Sequence, residues 1–258
     1  MTGKVHLVGA GPGDRELLTL RAMRLLEQAE VVLHDALVSR EVLALISPAA
    51  LLVDVGKRAG RKLLTQEEIN GLLVSYAKQG KVVIRLKGGD PLLFGRAGEE
   101  MEALRHAGIE FEIVPGITAA IAAAAAAKVS LTDRRVASQA LFTTFSRDEN
   151  DNWLNWAAIT PETTIAIYMP GRHYSEVAER LIENGVAGET PCVIVSHAAR
   201  ADQQVRWSNL AALSDSDQLP APSLLLVGRV AAQDLEQWRG RVTPKLVTPE
   251  TGFRDLPI

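Results

Sequence analysis

Sulfur, aromatic side chains and net charge are all scarce in this chain. Of 258 residues, Cys192 is the single cysteine, aromatics make up 5%, and the formal charge is −3. No apolar run reaches the roughly 18 residues that cross a membrane. Each shortage removes a class of function. One cysteine builds neither a disulfide framework nor a cysteine metal cluster, and Cys192, set in the apolar stretch 191–195, reads as a small core residue. Near-neutral charge gives no polybasic field, so neither nucleic acid nor an anionic membrane is an expected partner. An acidic ligand would need a local basic cluster. The first residues read as a strand, without the charged and apolar regions of a secretory signal, and a cytoplasmic location is the expectation.

Hydrophobic residues make up 47% of the chain, enough for two compact units. Strand-like runs at 5–8, 31–33, 51–55, 82–86 and 111–114 alternate with helical patterns, a βαβ rhythm that predicts a mostly parallel sheet. The clearest helix follows Thr65, which forms a capping-box pair with Glu68; Ile69, Leu72, Leu73, Tyr76 and Ala77 share one face, and Gly80 ends it. Residues 117–127 are dominated by alanine, which suits a helix packed closely between two layers. The domain join is placed there, with a first α/β domain over 1–116, a second over 117–240 and a polar tail over 241–258. Strands are expected again at 141–145, 165–169, 192–195, 205–207 and 224–227, and helices at 152–158 and 175–184. Their irregular connections predict a mixed second sheet. Trp153 and Trp156 lie too close in sequence to share a helix face and are expected to pack separately.

Three glycine turns follow strand-like runs: Gly9-Ala10-Gly11-Pro12-Gly13-Asp14, Lys87-Gly88-Gly89-Asp90-Pro91 and Pro115-Gly116-Ile117-Thr118. At the carboxyl ends of parallel strands, such turns let main chain approach a flat ligand that a Cβ would exclude. A small-molecule enzyme is the leading reading. Gly9, Gly11 and Gly13 with Asp35 at the end of the second strand also suggest a nicotinamide-dependent oxidoreductase. The spacing is G-x-G-x-G, however, Pro12 removes a donor from a loop that should cradle pyrophosphate, and the helix starts late, near Thr19. His34 and His197 have no partner at metal-ligand spacing, so no metal site is expected.

Together these residues resemble the tetrapyrrole methylases, which use S-adenosylmethionine. The likeness rests on Val8 to Asp14 with Leu17-Leu18-Thr19-Leu20, on Arg85 to Arg96 (RLKGGDPLLFGR) through Val114-Pro115-Gly116, and on Val55-Gly56-Lys57-Arg58-Ala59-Gly60 and Gln66-Glu67-Glu68-Ile69-Asn70. It spans about residues 3–232. The resemblance implies two α/β domains with the methyl donor in the cleft between them, in a homodimer. It implies C-methylation of uroporphyrinogen III at two pyrrole carbons, giving precorrin-2 by way of precorrin-1, with S-adenosylhomocysteine as the other product. Donor contacts carry over to Pro12, Gly88, Gly89, Asp90, Leu93, Thr118, Ala119 and Met169, and to Ala198 in place of a glycine. Asp35 matches the proposed base, and Lys57 the proposed proton donor or charge partner.

The acceptor is a polycarboxylate, so a cationic mouth is required; Arg58, Arg61, Lys62, Arg96, Arg134 and Arg135 are the candidates beside Lys57. Arginine suits this work because its planar fork holds a carboxylate through two hydrogen bonds. The chain departs from the family pattern at Ala36 (usually arginine), Asp133 (histidine) and Thr144-Phe145-Ser146 (Thr-Gly-His). Those substrate-side changes leave open a later precorrin intermediate as acceptor, or a non-catalytic binding protein.

Overall fold

The computed structural model describes residues 3–56, 64–145 and 154–233. Its first half runs β1 (Val5–Gly9), α1 (Leu20–Glu27), β2 (Val31–His34), α2 (Arg40–Leu43), β3 (Leu51–Asp54), α3 (Gln66–Lys78), β4 (Val83–Lys87), α4 (Ala97–His106) and β5 (Phe111–Val114). These strands form one sheet in the order β3-β2-β4-β1-β5, with every pairing parallel. Helices cover both of its faces, so β1, β2 and β4 are buried along their whole length. Val5, Leu7, Val31, Leu33 and Val83 pack under α3 and α4, against Ile69, Leu73 and Leu104. The alternate residues Val8, Val32, Ile84 and Leu86 pack with Ala22 and Leu26 of α1. Helix α3 starts where the sequence places it: Thr65 Oγ1 accepts from Glu68 N at 3.1 Å and Glu68 Oε2 accepts from Thr65 N at 2.5 Å.

The second half runs α5 (Ala119–Ala127), β6 (Gln139–Thr144), β7 (Thr163–Tyr168), α6 (Tyr174–Glu183), β8 (Pro191–Ser196), β9 (Gln204–Asn209) and β10 (Ser223–Val227). Its sheet has the order β6-β7-β10-β8-β9; β6 and β7 are parallel and the remaining pairs antiparallel. Ala120, Ala123, Ala124 and Ala127 of α5 lie against Ala166, Val193, Val195, Leu224 and Leu226. On the opposite face α6 buries Tyr174, Val177, Ala178 and Leu181 against Ile165, Ile167, Ile194 and Leu225. Helix α5 therefore belongs to the second core, and the chain crosses between lobes immediately before it.

One expected helix is corrected. Within 152–158 the described residues hold only a short 3-10 turn, Trp156–Ala158, and 151–153, with Trp153, fall outside the described residues. Pro161 lies just beyond, and the turn gives way to extended backbone at Ile159 (φ −86°, ψ 122°). Trp156 packs on the α6 side of the second core. The expected tail, 241–258, also lies outside the described residues. No described helix is long and apolar enough to cross a membrane.

Candidate functional site

At the carboxyl ends of β1, β4 and β5, the three glycine turns are sewn to one another. Ala10 N donates to Lys87 O at 2.7 Å, Gly11 N to Gly89 O at 3.1 Å, and Gly89 N to Gly11 O at 2.8 Å. Asp90 closes the third side, its Oδ2 accepting from Gly116 N at 3.0 Å. The approach is so close that a Cβ on Gly9 would lie 2.6 Å from Gly116 N and 2.7 Å from Gly89 O. Glycine at this strand end is thus a packing requirement.

The first lobe's turns face the second across a crevice. Pro12, Asp35, Gly88, Gly89, Asp90 and Leu93 line one wall, and Thr118, Ala119, Met169 and Ala198 the other. Every residue that the resemblance implies for the methyl donor is therefore in one place, together with the candidate base. Apolar surface from Leu93, Phe94, Met169 and Leu224 is combined there with bare peptide at Gly88 and Gly89. Such a cradle fits a nucleoside, because a base stacks on apolar walls while peptide groups and the Asp90 carboxylate meet polar edges.

Strain gathers at the same place. Phe94, Arg96, Met169, His197 and Ala199 all have left-handed backbone without being glycine, with φ between 48° and 59°. Each lines the crevice or is adjacent in sequence to a residue that does. Non-glycine residues in this region cost about 1 kcal/mol or more each, and they concentrate where surrounding structure holds a binding surface in shape.

Among the lining residues not singled out as ligand contacts by the sequence are Tyr168, Phe94, His197 and Arg200. Tyr168, at the end of β7, shares a 2.6 Å hydrogen bond with the Thr118 hydroxyl and accepts from Ala120 N at 3.1 Å, tying the start of α5 to the crevice. Burial raises its phenol above the ordinary value, against the pull of those two bonds. The Phe94 ring lies 4.9 Å from it, bridging the lobes. His197 is committed on both sides, with Nδ1 2.6 Å from Asp202 Oδ2 and Nε2 2.6 Å from Ala221 O. Arg200 crosses from the second lobe to the first, donating to Pro12 O at 3.2 Å and Leu37 O at 2.6 Å. Its side chain lies where a Cβ on Gly13 would sit, 2.6 Å from Nε, so Gly13 admits the clasp. Leu37 is 55% exposed two residues after Asp35, and nothing local in the sequence marks Arg200.

Asp35 follows β2, and its carboxylate retains 30% of its exposure on the crevice side while Arg85 Nη2 holds Oδ1 at 2.5 Å from the core side. Arg85 itself is buried, as are Lys87 and Glu100; the Glu100 carboxylate receives Arg85 Nε at 2.8 Å and Lys87 Nζ at 2.9 Å. Burial opposes the Arg85 charge, but Asp35 and Glu100 outweigh it and raise the pKa. For Lys87 burial wins, assisted by the neighbouring Arg85 charge, and its pKa is lowered. Sequence reading assigned no role to Arg85, Lys87 or Glu100.

The candidate acceptor-binding cations are not gathered in the same way. Lys57, Arg58, Arg61 and Lys62 lie outside the described residues. Arg96 projects outward and forks onto Glu99, with both contacts at 2.7 Å. Arg134 and Arg135 stand on the turn between α5 and β6; Arg135 is clamped by Asp133, Nε to Oδ1 at 2.8 Å, and lines a separate groove with Lys128 and Trp207. Neither lines the crevice. Among the described residues no cluster of histidine, cysteine and carboxylate side chains is arranged to hold a metal ion.

The dinucleotide alternative is corrected by the backbone after β1. Helix α1 begins only at Leu20, where Thr19 Oγ1 accepts from Ala22 N, and the intervening 3-10 turn (Arg15–Leu17) is capped by the Asp14 carboxylate on Glu16 N. The helix that follows β1 therefore does not open its N-terminus onto the glycine turn to receive a pyrophosphate.

Two α/β lobes enclosing a peptide-walled crevice, with the carboxylates of Asp35 and Asp90 in its lining, define a class of small-molecule enzyme. The sequence model of the Tetrapyrrole (Corrin/Porphyrin) Methylases matches residues 4–214, and the chain belongs to that family. It is 48% identical over 235 residues to a uroporphyrinogen-III C-methyltransferase of Paracoccus denitrificans, covering 89% of this chain and 82% of that protein. It is 47% identical over 241 residues to a siroheme synthase of Actinobacillus succinogenes, covering 92% of this chain and 51% of that protein. The chain thus spans about half the length of the siroheme synthases it matches. A crystal structure of uroporphyrin-III C-methyltransferase from Thermus thermophilus, complexed with S-adenosyl homocysteine, superposes with a TM-score of 0.74 at 36% identity, covering 88% of this chain and 98% of that chain.

Proposed function

We propose that this chain methylates uroporphyrinogen III at two pyrrole carbons with S-adenosylmethionine, forming precorrin-2 by way of precorrin-1 for sirohaem- or cobalamin-type cofactor synthesis. The observation that carries the reading is the convergence of Pro12, Gly88, Gly89, Asp90, Leu93, Thr118, Ala119, Met169 and Ala198 on one crevice with Asp35 at its edge. The donor supplies an electrophilic methyl on a sulfonium, leaving as the neutral thioether. What the chain must do is position and shield. The peptide edges at Gly88 and Gly89 and the Asp90 carboxylate orient the nucleoside, while Leu93, Phe94 and Met169 exclude water from the line of transfer. A methylated pyrrole carries a proton it must lose, and Asp35 is the carboxylate at hand to take it. Lys57 is assigned to the acceptor as proton donor or charge partner, and Arg58, Arg61, Lys62 and Arg96 to its carboxylates; Arg134 and Arg135, which stand away from the crevice, are not assigned to it. The same reading makes the chain a homodimer in the cytoplasm, with no nucleic-acid or membrane partner; sedimentation checks the first point.

Anaerobic incubation with uroporphyrinogen III and S-adenosylmethionine, read by mass spectrometry, is the test. A gain of one or two methyl groups is the expected result. Calorimetry should show S-adenosylhomocysteine binding at micromolar concentration and no binding of NAD or NADP; the reverse pattern defeats the assignment.

A further inference from the structure

The central strand of the first sheet carries two cations that methyl transfer, as described above, does not use. In β4 the residues facing α3 and α4 are Val83, Arg85 and Lys87, an apolar side chain followed by two charged ones. All are buried, Arg85 at 3% and Lys87 at 1% exposure, and the carboxylate between them, Glu100 on α4, is at 0%. Glu100 Oε1 accepts from Arg85 Nε at 2.8 Å and from Gln66 Nε2 at 3.3 Å, and Oε2 from Lys87 Nζ at 2.9 Å. The guanidinium is then fixed on its remaining edges, with Nη1 donating to Leu33 O at 3.4 Å and Leu86 O at 3.3 Å. One nitrogen is left, Nη2, and it donates to Asp35 Oδ1 at 2.5 Å.

Lys87, Glu100, Arg85 and Asp35 form an alternating chain of charges, sealed in the core at one end and open to the crevice at the other. Burying three charged groups is costly, and in a protein core an apolar set of the same volume is often as stable or more so. Stability therefore gives no reason for the arrangement, but orientation does. A carboxylate at a loop tip swings freely in water, whereas one gripped by a guanidinium that cannot rotate holds its other lone pairs on the crevice. The planar fork presents its donors in fixed directions, Nε on Glu100 and Nη2 on Asp35, whereas an ammonium turns its three donors freely on a flexible stem.

We propose that Arg85 is a positioning residue that aims the Asp35 carboxylate into the crevice, and that buried Glu100, braced by Lys87 and Gln66, is what holds Arg85 in register. This rests on the reading of Asp35 as the proton acceptor. It predicts that Arg85 and Glu100 influence turnover only through Asp35.

A double-mutant cycle on kcat tests it, with calorimetric affinity for S-adenosylhomocysteine as control. Arg85→Lys keeps one positive charge near Glu100 but loses the fork; it should lower kcat about 100-fold, the scale of a misplaced catalytic group, with KM for both substrates within about threefold. Glu100→Gln should do the same. In an Asp35→Asn background neither change should reduce kcat by more than about twofold further, because the group being aimed is gone. If Glu100→Gln does not fold, Arg85→Lys alone completes the cycle. Multiplicative losses in the double variant, a wild-type kcat for Arg85→Lys, or equal losses of donor affinity and turnover each overturn the proposal while leaving the methyltransferase reading intact. A parent protein that transfers no methyl group overturns the reading itself, and the proposal with it.

Discussion

The first lobe keeps Arg85, Lys87, Glu100, His6 and His34 out of water, whereas the buried polar side chains of the second are hydroxyls, Thr143, Thr163, Thr164 and Ser196. Both lobes are five-stranded sheets flanked by helices, so architecture does not account for the contrast. Division of labour does. The lobe that holds the candidate base surrounds it with fixed charge, at a desolvation cost only close pairing offsets. The second lobe presents a close-packed apolar wall, built by bringing an alanine helix up to the sheet, and contributes the left-handed corners at Met169, His197 and Ala199.

Replacing Asp35 with asparagine is the strongest way to test that division. It should lower kcat about 1000-fold, within the range general acid–base groups contribute, with S-adenosylhomocysteine affinity within about threefold by calorimetry. Equal loss of both would make Asp35 a structural group and erase the contrast between the lobes. Ala123→Leu attacks the other side: Ala123 is fully buried between α5 and the second sheet, so the larger side chain should cost about 2–3 kcal/mol of stability in denaturant melts. A neutral result would show that the alanine helix is not closely packed. Ala198→Leu narrows the crevice from the second lobe and should weaken S-adenosylhomocysteine binding about tenfold, a change near 1.4 kcal/mol, with a smaller loss in kcat.

The smallest effect concerns His6 on β1, beside Glu112 on β5, Arg21 on α1, and Lys4 and Glu110. Burial holds its pKa below the ordinary 6.5, so as pH falls below 6.5 the unfolded chain binds more protons than the folded one and stability declines. His6→Gln should flatten that part of the stability-against-pH curve; an unchanged slope would assign it to carboxylates instead.

Much of this was legible from local chemistry. Thr65 and Glu68 announce α3 because a capping box closes within four residues, and the first lobe's strands are apparent from their runs of apolar residues, with β1, β2 and β4 buried along their whole length. The glycine turns mark the crevice, Gly11, Gly88 and Gly89 by lining it and Gly9, Gly13 and Gly116 by letting its walls pack closely. The end of β7 and the loop after β8 were found only because the family resemblance pointed to Met169 and Ala198. The expected helix over 152–158 has no local cap to test it, and among its described residues the extended backbone at Ile159, ahead of Pro161, leaves a single 3-10 turn.

The amino-acid order by itself determined the alternation of strands and helices, the caps and the peptide-walled turns, because each depends on neighbours a few positions away. Only the tertiary structure decided that Arg85 and Lys87 turn inward onto Glu100, that Arg85 continues to Asp35, and that Arg200 reaches Pro12 from 188 residues away. Period-two alternation tells which face of a strand a side chain takes, but whether that face meets water or a buried carboxylate depends on which helix packs over it.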